Sequence, residues 1–396
     1  MDFRLVSPGP MEKSMQLSKR LEQRLEQRRK SGNLRSLACR SGLDFSSNDY
    51  LGLRSDQTLK GLTEAMLSRV KPDLGSSGSR LLSGHNHLCD DLEMKLARKY
   101  SSPSALLFNS GYTLNLGLPE FLSEDEDIFL ADELVHASVK SGLKLAKGKT
   151  YYFRHNQVSH LQSKLKRLSP GCKGQIFILV ESVYSMDGDL APLADLVDLA
   201  RTYHAALIVD EAHGAGVFGP GGIGCVAAQN LEKDVFARVV TFGKAYGSHG
   251  AVLLGSELLR QSAINFCGSF IYTTSMTPAH LLALDTMFNY LDTRPDYQEN
   301  LHHNVEHLKN LTGFLTQKSP IFSFMIPDIH QLNQLARDLD QHGFIVFPVW
   351  SPTVRRGTER LRVVLHRYNE LSDISNLWER LKPYEHHWQK NICDRH

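Results

Sequence analysis

Short apolar runs alternate with amphipathic segments along roughly residues 44 to 275 of this chain. Three of these runs are rich in β-branched and other large apolar residues, at 175–180, 205–209 and 238–240. Such runs are typical of central strands in a parallel sheet that helices cover on both faces. The pattern therefore predicts an α/β fold with a mainly parallel sheet flanked by helices.

The pattern changes after about residue 280, where helical segments and apolar strands are shorter and follow one another in a different order. The helices that we expect cover 281–284 and 302–315, and the strands cover 321–326 and 344–347. Ser372 can cap a last helix. These elements predict a smaller α+β domain, placed at 279–396, which follows a large domain at 44–278.

Near the N-terminus, Leu17, Leu21 and Leu25 recur every four residues among Gln, Glu and Arg side chains. This spacing puts the leucines on one face, so the segment should form an amphipathic helix. We expect residues 1–43 to act as an arm that packs on a second copy of the chain. A plain surface helix is the alternative.

Composition and charge argue against several classes of protein. The 396 residues include 41% hydrophobic ones, enough for a large core, and the net charge of +2 argues against nucleic acid as the main partner. No apolar run approaches the roughly 20 residues that a membrane-spanning helix needs. The six cysteines include no Cys-x-x-Cys pair, and no His/Cys cluster has metal-site spacing. We therefore expect reduced thiols, no metal and a cytoplasmic location.

Chemically reactive side chains directly follow the three apolar runs. Lys244 lies between glycines just after the third run, and Asp210 and His213 follow the second. Ser185 follows the first. Because the carboxyl ends of parallel strands meet at one edge of a sheet, these groups should converge there. A lysine in a solvated loop and an aspartate that caps a helix are the common alternatives for such residues taken singly.

Seven motifs, in a consistent order and spacing, make the chain resemble a known enzyme family. They lie at 44–53, 75–81, 109–112, 136–138, 210–214, 241–244 and 357–362. Over about residues 28 to 381, the chain is similar to the α-oxoamine synthases, a group of fold-type I enzymes that depend on pyridoxal 5′-phosphate. Members condense an amino acid with an acyl thioester and release carbon dioxide. The resemblance thus implies a pyridoxal phosphate-dependent acyltransferase.

The resemblance assigns cofactor-binding roles residue by residue. Lys244 matches the lysine that holds the cofactor as a Schiff base and then acts as the base. Asp210 matches the carboxylate that keeps the ring nitrogen protonated, and His136 the imidazole that stacks on the ring and assists the acyl step. The other implied contacts are His213 and Ser185 at the phenolic oxygen, Gly111, Tyr112 and Thr241 at the phosphate, and Thr274 from a second subunit. A homodimer with sites at its interface follows from the last of these.

Substrate contacts are implied by the same motifs. Arg362 matches the arginine that binds the amino-acid carboxylate, a task suited to the planar guanidinium group. Arg360 and Arg362 alternate with an apolar residue, so both should point to one side of a strand. Asn48 is implied near the substrate, Thr353 near the acyl group and Arg35 near the acyl chain.

Within the family, the motifs are most similar to members that join L-alanine to a pimeloyl thioester of coenzyme A or acyl carrier protein, in biotin biosynthesis. Members that use glycine or serine with acetyl, succinyl or palmitoyl thioesters share the machinery and remain alternatives. An aminotransferase of the same fold would share Lys244 and Asp210 but would need no thioester. A catalytically silent partner subunit would normally lack the lysine.

Overall fold

A central sheet and a smaller sheet organise the chain, which the computed structural model describes for residues 10–35, 37 and 39–388. The strands are β1 (Leu43–Asp44), β2 (Ser104–Phe108), β3 (Ile128–Asp132), β4 (Lys149–Phe153), β5 (Ile176–Glu181), β6 (Ala206–Asp210), β7 (Ala237–Thr241), β8 (Ala251–Gly255), β9 (Ile321–Met325), β10 (Phe344–Ile345), β11 (Phe347–Val349) and β12 (Arg360–Val364). The α-helices are α1 (Pro10–Lys30), α2 (Gln57–Val70), α3 (His87–Lys99), α4 (Gly111–Leu122), α5 (Ala137–Leu143), α6 (Val158–Leu168), α7 (Leu193–Thr202), α8 (Cys225–Ala228), α9 (Glu257–Phe266), α10 (Gly268–Ile271), α11 (Pro278–Asp292), α12 (Asp296–Thr312), α13 (Ile329–Gln341) and α14 (Leu371–Leu381).

The central sheet has seven strands in the order β2-β8-β7-β6-β5-β3-β4. Its pairings are parallel except for those that β8 makes with β2 and β7. Alternate residues of β2 enter different hydrophobic clusters, with Leu106 and Phe108 on one face and Ala105 and Leu107 on the other. Both faces are therefore covered by helices, which explains why the central strands are apolar throughout. The predicted α/β fold is confirmed.

The smaller sheet is antiparallel, with the order β11-β12-β9. It packs with apolar residues of α12, α13 and α14 in one hydrophobic cluster, as expected for the smaller α+β region. Two details of the prediction were wrong. The expected strand at 344–347 divides at Val346, because β10 pairs with β1 whereas β11 pairs with β12. Glu370 occupies the N-cap position of α14, so Ser372 lies inside the helix and does not cap it.

The N-terminal part of the described chain contacts the smaller sheet's side of the protein. β1 pairs in parallel with β10, and Phe45 belongs to the hydrophobic cluster of the smaller sheet. The expected amphipathic helix is present as α1, whose Leu17, Leu21 and Leu25 are exposed in the single chain. The boundaries proposed after residues 43 and 278, and the packing of the arm on a second copy, stay predictions.

Three general features of the described residues bear on function. None of their helices is both long enough and apolar enough to cross a membrane. The five cysteines in this part of the chain are free, and Cys393 lies outside it. No group of three or more His, Cys, Asp or Glu side chains within these residues is arranged to hold a metal ion.

Candidate active site

A cavity of about 240 Å³ lies at the carboxyl edge of the central sheet. Three neighbouring strands end at it, β5 with Glu181, β6 with Asp210 and β7 with Thr241. The helix α4 presents its first residue, Gly111, to the same cavity. The predicted site residues that line it are Asn48, Gly111, Tyr112, His136, Asp210, His213, Thr241 and Lys244. The convergence expected from the strand ends is thus present for Asp210, His213 and Lys244, whereas Ser185 lies outside the cavity lining.

The other predicted site residues lie outside the cavity lining. Arg362 is buried, and its Nε donates a hydrogen bond of 2.6 Å to the backbone carbonyl of Ser185. Arg35 and Thr353 are exposed and contact each other, with 3.2 Å between Arg35 Nη2 and Thr353 Oγ1. Thr274 is also exposed. The roles of all these residues toward cofactor and substrate stay predictions.

A chain of hydrogen bonds orients Asp210 and His136. Asp210 accepts from the backbone N–H of Ala212 at 2.9 Å and from Asn115 Nδ2 at 2.7 Å. Asn115 also donates to Ser138 Oγ at 3.1 Å, and this hydroxyl lies 2.7 Å from His136 Nδ1. Because the backbone N–H of Ser138 also donates to His136 Nδ1, that nitrogen is an acceptor. A neutral His136 therefore carries its proton on Nε2.

A second network joins His213 to Arg362. The hydroxyl of Tyr50 lies 2.6 Å from His213 Nδ1 and donates to Asn48 Oδ1 at 3.3 Å. Arg362 Nη2 donates to the same Asn48 oxygen at 3.0 Å. Burial lowers the pKa of His213 well below its usual range, and the positive charges of Lys244 and Arg362 lower it further. His213 is therefore a neutral hydrogen-bonding group in the cavity wall at physiological pH.

Lys244 is the single lysine among the residues that line the cavity. Burial lowers the pKa of its amine, although the carboxylates of Asp210 and Glu181 act in the opposite direction. Burial, followed by the charge of Asp210, raises the pKa of Glu181 to about 8. A lysine with a lowered pKa has more of the free amine at neutral pH, and the free amine is the form that acts as nucleophile or base.

The first turn of α4 and the end of β7 together form a place for an anion. Ser110 caps α4 by accepting a hydrogen bond from the backbone N–H of Thr113, and the first N–H groups of a helix have no partner within it. A Cβ atom on Gly111 would lie 2.3 Å from Thr241 Cγ2, so glycine allows the helix to approach β7. Thr241 Oγ1 is buried without a hydrogen-bond partner among the described residues. An unpaired buried hydroxyl beside free N–H groups suits a phosphate.

The residues of the cavity fit pyridoxal phosphate. Asp210 would pair with the protonated ring nitrogen, Lys244 would bind the aldehyde carbon, and Thr241 with the α4 N-terminus would hold the phosphate. When bound, the cofactor supplies an electron sink for a substrate amino acid. The unpartnered hydroxyl of Thr241 and the unpartnered Oε1 of Glu181 are polar atoms that protein contacts among the described residues leave unsatisfied.

Sequence reasoning assigned no role to Asn115, Ser138, Glu181 or Tyr50, although each helps to build the site. Asn115 carried a signal, because it is a polar residue next to Leu114 on the buried face of a largely apolar helix. Glu181 carried a weaker one as the last residue of an apolar strand. Ser138 and Tyr50 lie within the motifs at 136–138 and 44–53, but no local pattern indicated their contacts, since their partners come from distant segments.

Comparison with known proteins agrees with this site. The family model "Aminotransferase class I and II" matches residues 40–374. A putative 8-amino-7-oxononanoate synthase of Haemophilus influenzae is 36% identical over 338 residues, which cover 82% of this chain and 87% of that protein. A putative 8-amino-7-oxononanoate synthase of Geobacillus kaustophilus is 38% identical over 329 residues, covering 81% and 83%. The 8-amino-7-oxononanoate synthase of Emericella nidulans is 34% identical over 380 residues, covering 88% and 91%.

Solved structures give the same result. A serine palmitoyltransferase variant from S. paucimobilis with bound PLP and myriocin has a TM-score of 0.84 at 26% identity, covering 94% of this chain and 98% of that one. The 8-amino-7-oxononanoate synthase of Francisella tularensis has a TM-score of 0.74 at 28% identity, covering 87% and 98%. The chain therefore belongs to the aminotransferase class I and II family and, within it, to the pyridoxal phosphate-dependent, acyl-transferring α-oxoamine synthases of fold type I.

Proposed function

We propose that this enzyme condenses L-alanine with a pimeloyl thioester to give 8-amino-7-oxononanoate, carbon dioxide and the free thiol, as a step of biotin biosynthesis. The observation that carries the proposal is the 34% to 38% identity to 8-amino-7-oxononanoate synthases over more than four-fifths of both sequences. A cytoplasmic location is part of the proposal. The five free cysteines of the described residues support it.

In this proposal, the protein's own groups bind the amino acid and move its proton. The guanidinium of Arg362 binds the carboxylate, helped by Asn48, which already accepts a hydrogen bond from it at 3.0 Å. The amine of Lys244, whose pKa burial lowers, takes the proton from Cα. His136, with its proton on Nε2, donates a hydrogen bond during the acyl step. Asp210 supplies the negative charge that keeps the cofactor ring protonated.

A substrate matrix tests the proposal. The purified enzyme with its cofactor is given alanine, glycine or serine together with pimeloyl, acetyl, succinyl or palmitoyl thioester, and release of carbon dioxide and thiol is measured. We expect alanine with pimeloyl thioester to give a kcat/KM at least about tenfold above every other pair. Preference for another pair would refute the substrate assignment while leaving the family intact. A keto acid formed without any thioester would indicate an aminotransferase.

Serine palmitoyltransferase activity is the second candidate. It is favoured by the structural comparison, in which a variant of that enzyme has a TM-score of 0.84 against 0.74 for the Francisella synthase. The sequence comparison points instead to alanine and pimeloyl thioester, at higher identity. The serine and palmitoyl arms of the same matrix distinguish the two activities directly.

Replacing Arg362 by lysine should weaken alanine binding by roughly 10- to 100-fold, because a single ammonium cannot replace the two-pronged guanidinium contact with a carboxylate. Alanine affinity is measured from the change in cofactor absorbance, and KM from turnover. Arg380→Lys, at a partly exposed position of α14, is the matched control and should bind alanine as the wild type does. Equal affinity in both variants would show that Arg362 does not hold the carboxylate.

We also infer a homodimer. The backbone N–H of Ser275 donates to the carbonyl of Gly78 at 2.9 Å, so the segments around these residues are joined. The two segments expose large apolar side chains, with Leu74 at 86%, Leu82 at 85% and Tyr272 at 88%. Highly exposed large apolar side chains on joined segments are typical of a protein interface, and a second copy of the chain is the partner that the resemblance implies.

Replacing Leu82 by glutamate should move the enzyme from dimer toward monomer, because the new charge would be buried in the contact. Light scattering coupled to size-exclusion chromatography measures the mass, and turnover should fall with it if Thr274 completes the partner's site. Leu315→Glu is the control, since Leu315 is also exposed, at 72%, but lies just after α12. A monomeric wild-type enzyme with full activity would contradict the homodimer.

A further inference from the structure

His155, two residues after β4, lies between two carboxylates. Its Nδ1 is 3.0 Å from Asp132 Oδ1, and its Nε2 is 2.7 Å from Asp189 Oδ2. Neutral imidazole donates from one nitrogen, so hydrogen bonds from both nitrogens to carboxylates require the imidazolium. Burial by itself lowers the pKa of His155, but the hydrogen bonds to Asp132 and Asp189 outweigh it and raise the pKa to about 10. The side chain is therefore a cation at neutral pH.

On one side, this cation holds the end of β3. Asp132 is fully buried and also accepts hydrogen bonds from the backbone N–H groups of Leu134 at 2.8 Å and Asn156 at 2.9 Å. These bonds shape the turn that leads into α5, at whose N-terminus His136 sits. Asp132 therefore anchors His155 to the central sheet.

On the other side, the cation holds a loop at residues 184–189. Asp189 accepts from His155 and also from Asn156 Nδ2, at 2.6 Å. The carbonyl of Ser185 in the same loop accepts the 2.6 Å hydrogen bond from Arg362 Nε. The position of the loop therefore affects the orientation of the guanidinium, and Asp189 is one of the residues that hold the loop, together with Asp187, which pairs with Arg360.

We propose that His155 is a positioning residue for the amino-acid site: its imidazolium ties the 184–189 loop to β3, and the loop's Ser185 carbonyl orients Arg362. The inference rests on the proposed role of Arg362 in binding the substrate carboxylate. His155 does not line the cavity, so it acts through Arg362 and not by touching the substrate. Without the cation, Asp132 and Asp189 would lose their shared charged partner, and the loop would lose one of its ties to the sheet, while the hydrogen bond from Asn156 Nδ2 to Asp189 would remain.

The test replaces His155 by glutamine, which removes the charge but keeps a polar side chain. We expect the holoenzyme to bind alanine about tenfold or more weakly, measured by cofactor absorbance, with a smaller change in kcat at saturating alanine. His160→Gln is the matched control in the same segment. His160 Nδ1 accepts a hydrogen bond from the backbone of Arg154 at 2.9 Å, and the variant should bind alanine normally.

Asp189→Asn is a milder second variant, since Asp189 is 33% exposed and the amide keeps its shape. This variant should also weaken alanine binding. Circular dichroism should show that the enzyme stays folded. In the double variant with His155→Gln, the loss should be smaller than the product of the two single losses, because both changes break the same contact. This non-additivity is a readout that a general loss of stability would not produce.

The positioning role would be overturned if folded His155→Gln or Asp189→Asn enzyme bound alanine within about twofold of the wild-type affinity while Arg362→Lys enzyme bound alanine more weakly. Fully additive losses in the double variant would overturn it as well. If Arg362→Lys enzyme also binds alanine normally, the proposed carboxylate site fails, and the positioning role fails with it. The Arg362 arm therefore separates a failure of this inference from a failure of the proposed function.

Discussion

Lys244→Ala enzyme should release carbon dioxide from alanine and pimeloyl thioester at least about 10³-fold more slowly than the wild type. Lys244 is the single lysine among the residues that line the cavity, so no neighbouring amine in the lining can take over its proton transfer. Burial lowers the pKa of this amine, and a truncated side chain would also remove its electrostatic interaction with Asp210. Single-turnover release of carbon dioxide is the measurement.

The matched control is Lys144→Ala, an exposed lysine at the end of α5 that should leave turnover unchanged. Cofactor content is measured in both proteins by absorbance. The Lys244→Ala protein should also lack the absorbance change that a lysine-bound cofactor shows when alanine is added. Full turnover by the Lys244→Ala protein would refute the assignment of Lys244 as both anchor and base.

Asp210→Asn enzyme should lose about 10²- to 10³-fold in turnover, the second largest effect expected. The amide has nearly the shape of the carboxylate but no charge, so it cannot keep a proton on the cofactor's ring nitrogen. The substitution also leaves one acceptor oxygen where Asp210 has two, so the amide cannot accept both the 2.7 Å hydrogen bond from Asn115 Nδ2 and the 2.9 Å hydrogen bond from the backbone N–H of Ala212. Because Asp210 acts to raise the pKa of Lys244, its loss should lower that pKa further.

Turnover, cofactor affinity and the pH dependence of the cofactor spectrum together check this expectation. Asp198→Asn is the control, because this carboxylate is 75% exposed on α7 and does not line the cavity. A normal spectrum and normal turnover in the Asp210→Asn enzyme would mean that another group protects the ring proton. Glu181, whose pKa burial raises to about 8, would then be the group to replace next.

The central sheet was largely predictable because its signal is local. β5, β6 and β7 are interior strands of the sheet with helices on both faces, so each is an apolar run in the sequence with reactive residues at its end. The division of the 344–349 segment into β10 and β11 was not predictable in this way. It depends on β1, which pairs with β10, and on β12, which pairs with β11.

Contacts within the site between residues distant in sequence were likewise not predictable. Asp210, His213 and Lys244 could be grouped from their places after apolar strands, and the structure brings them to one cavity. The hydrogen bond between Asn115 and Asp210 joins residues 95 positions apart, and no spacing rule anticipates it. The same holds for the bridge that His155 makes from Asp132 to Asp189.

The sequence by itself determined the strand-end chemistry and the motifs that relate the chain to the α-oxoamine synthases, because both are patterns within short stretches. The tertiary structure alone decided which groups touch and in which protonation state. His213 is neutral because it is buried near two cations, whereas His155 is charged because two carboxylates face its nitrogens. Burial and hydrogen bonding depend on side chains from distant segments, so only the folded chain sets them.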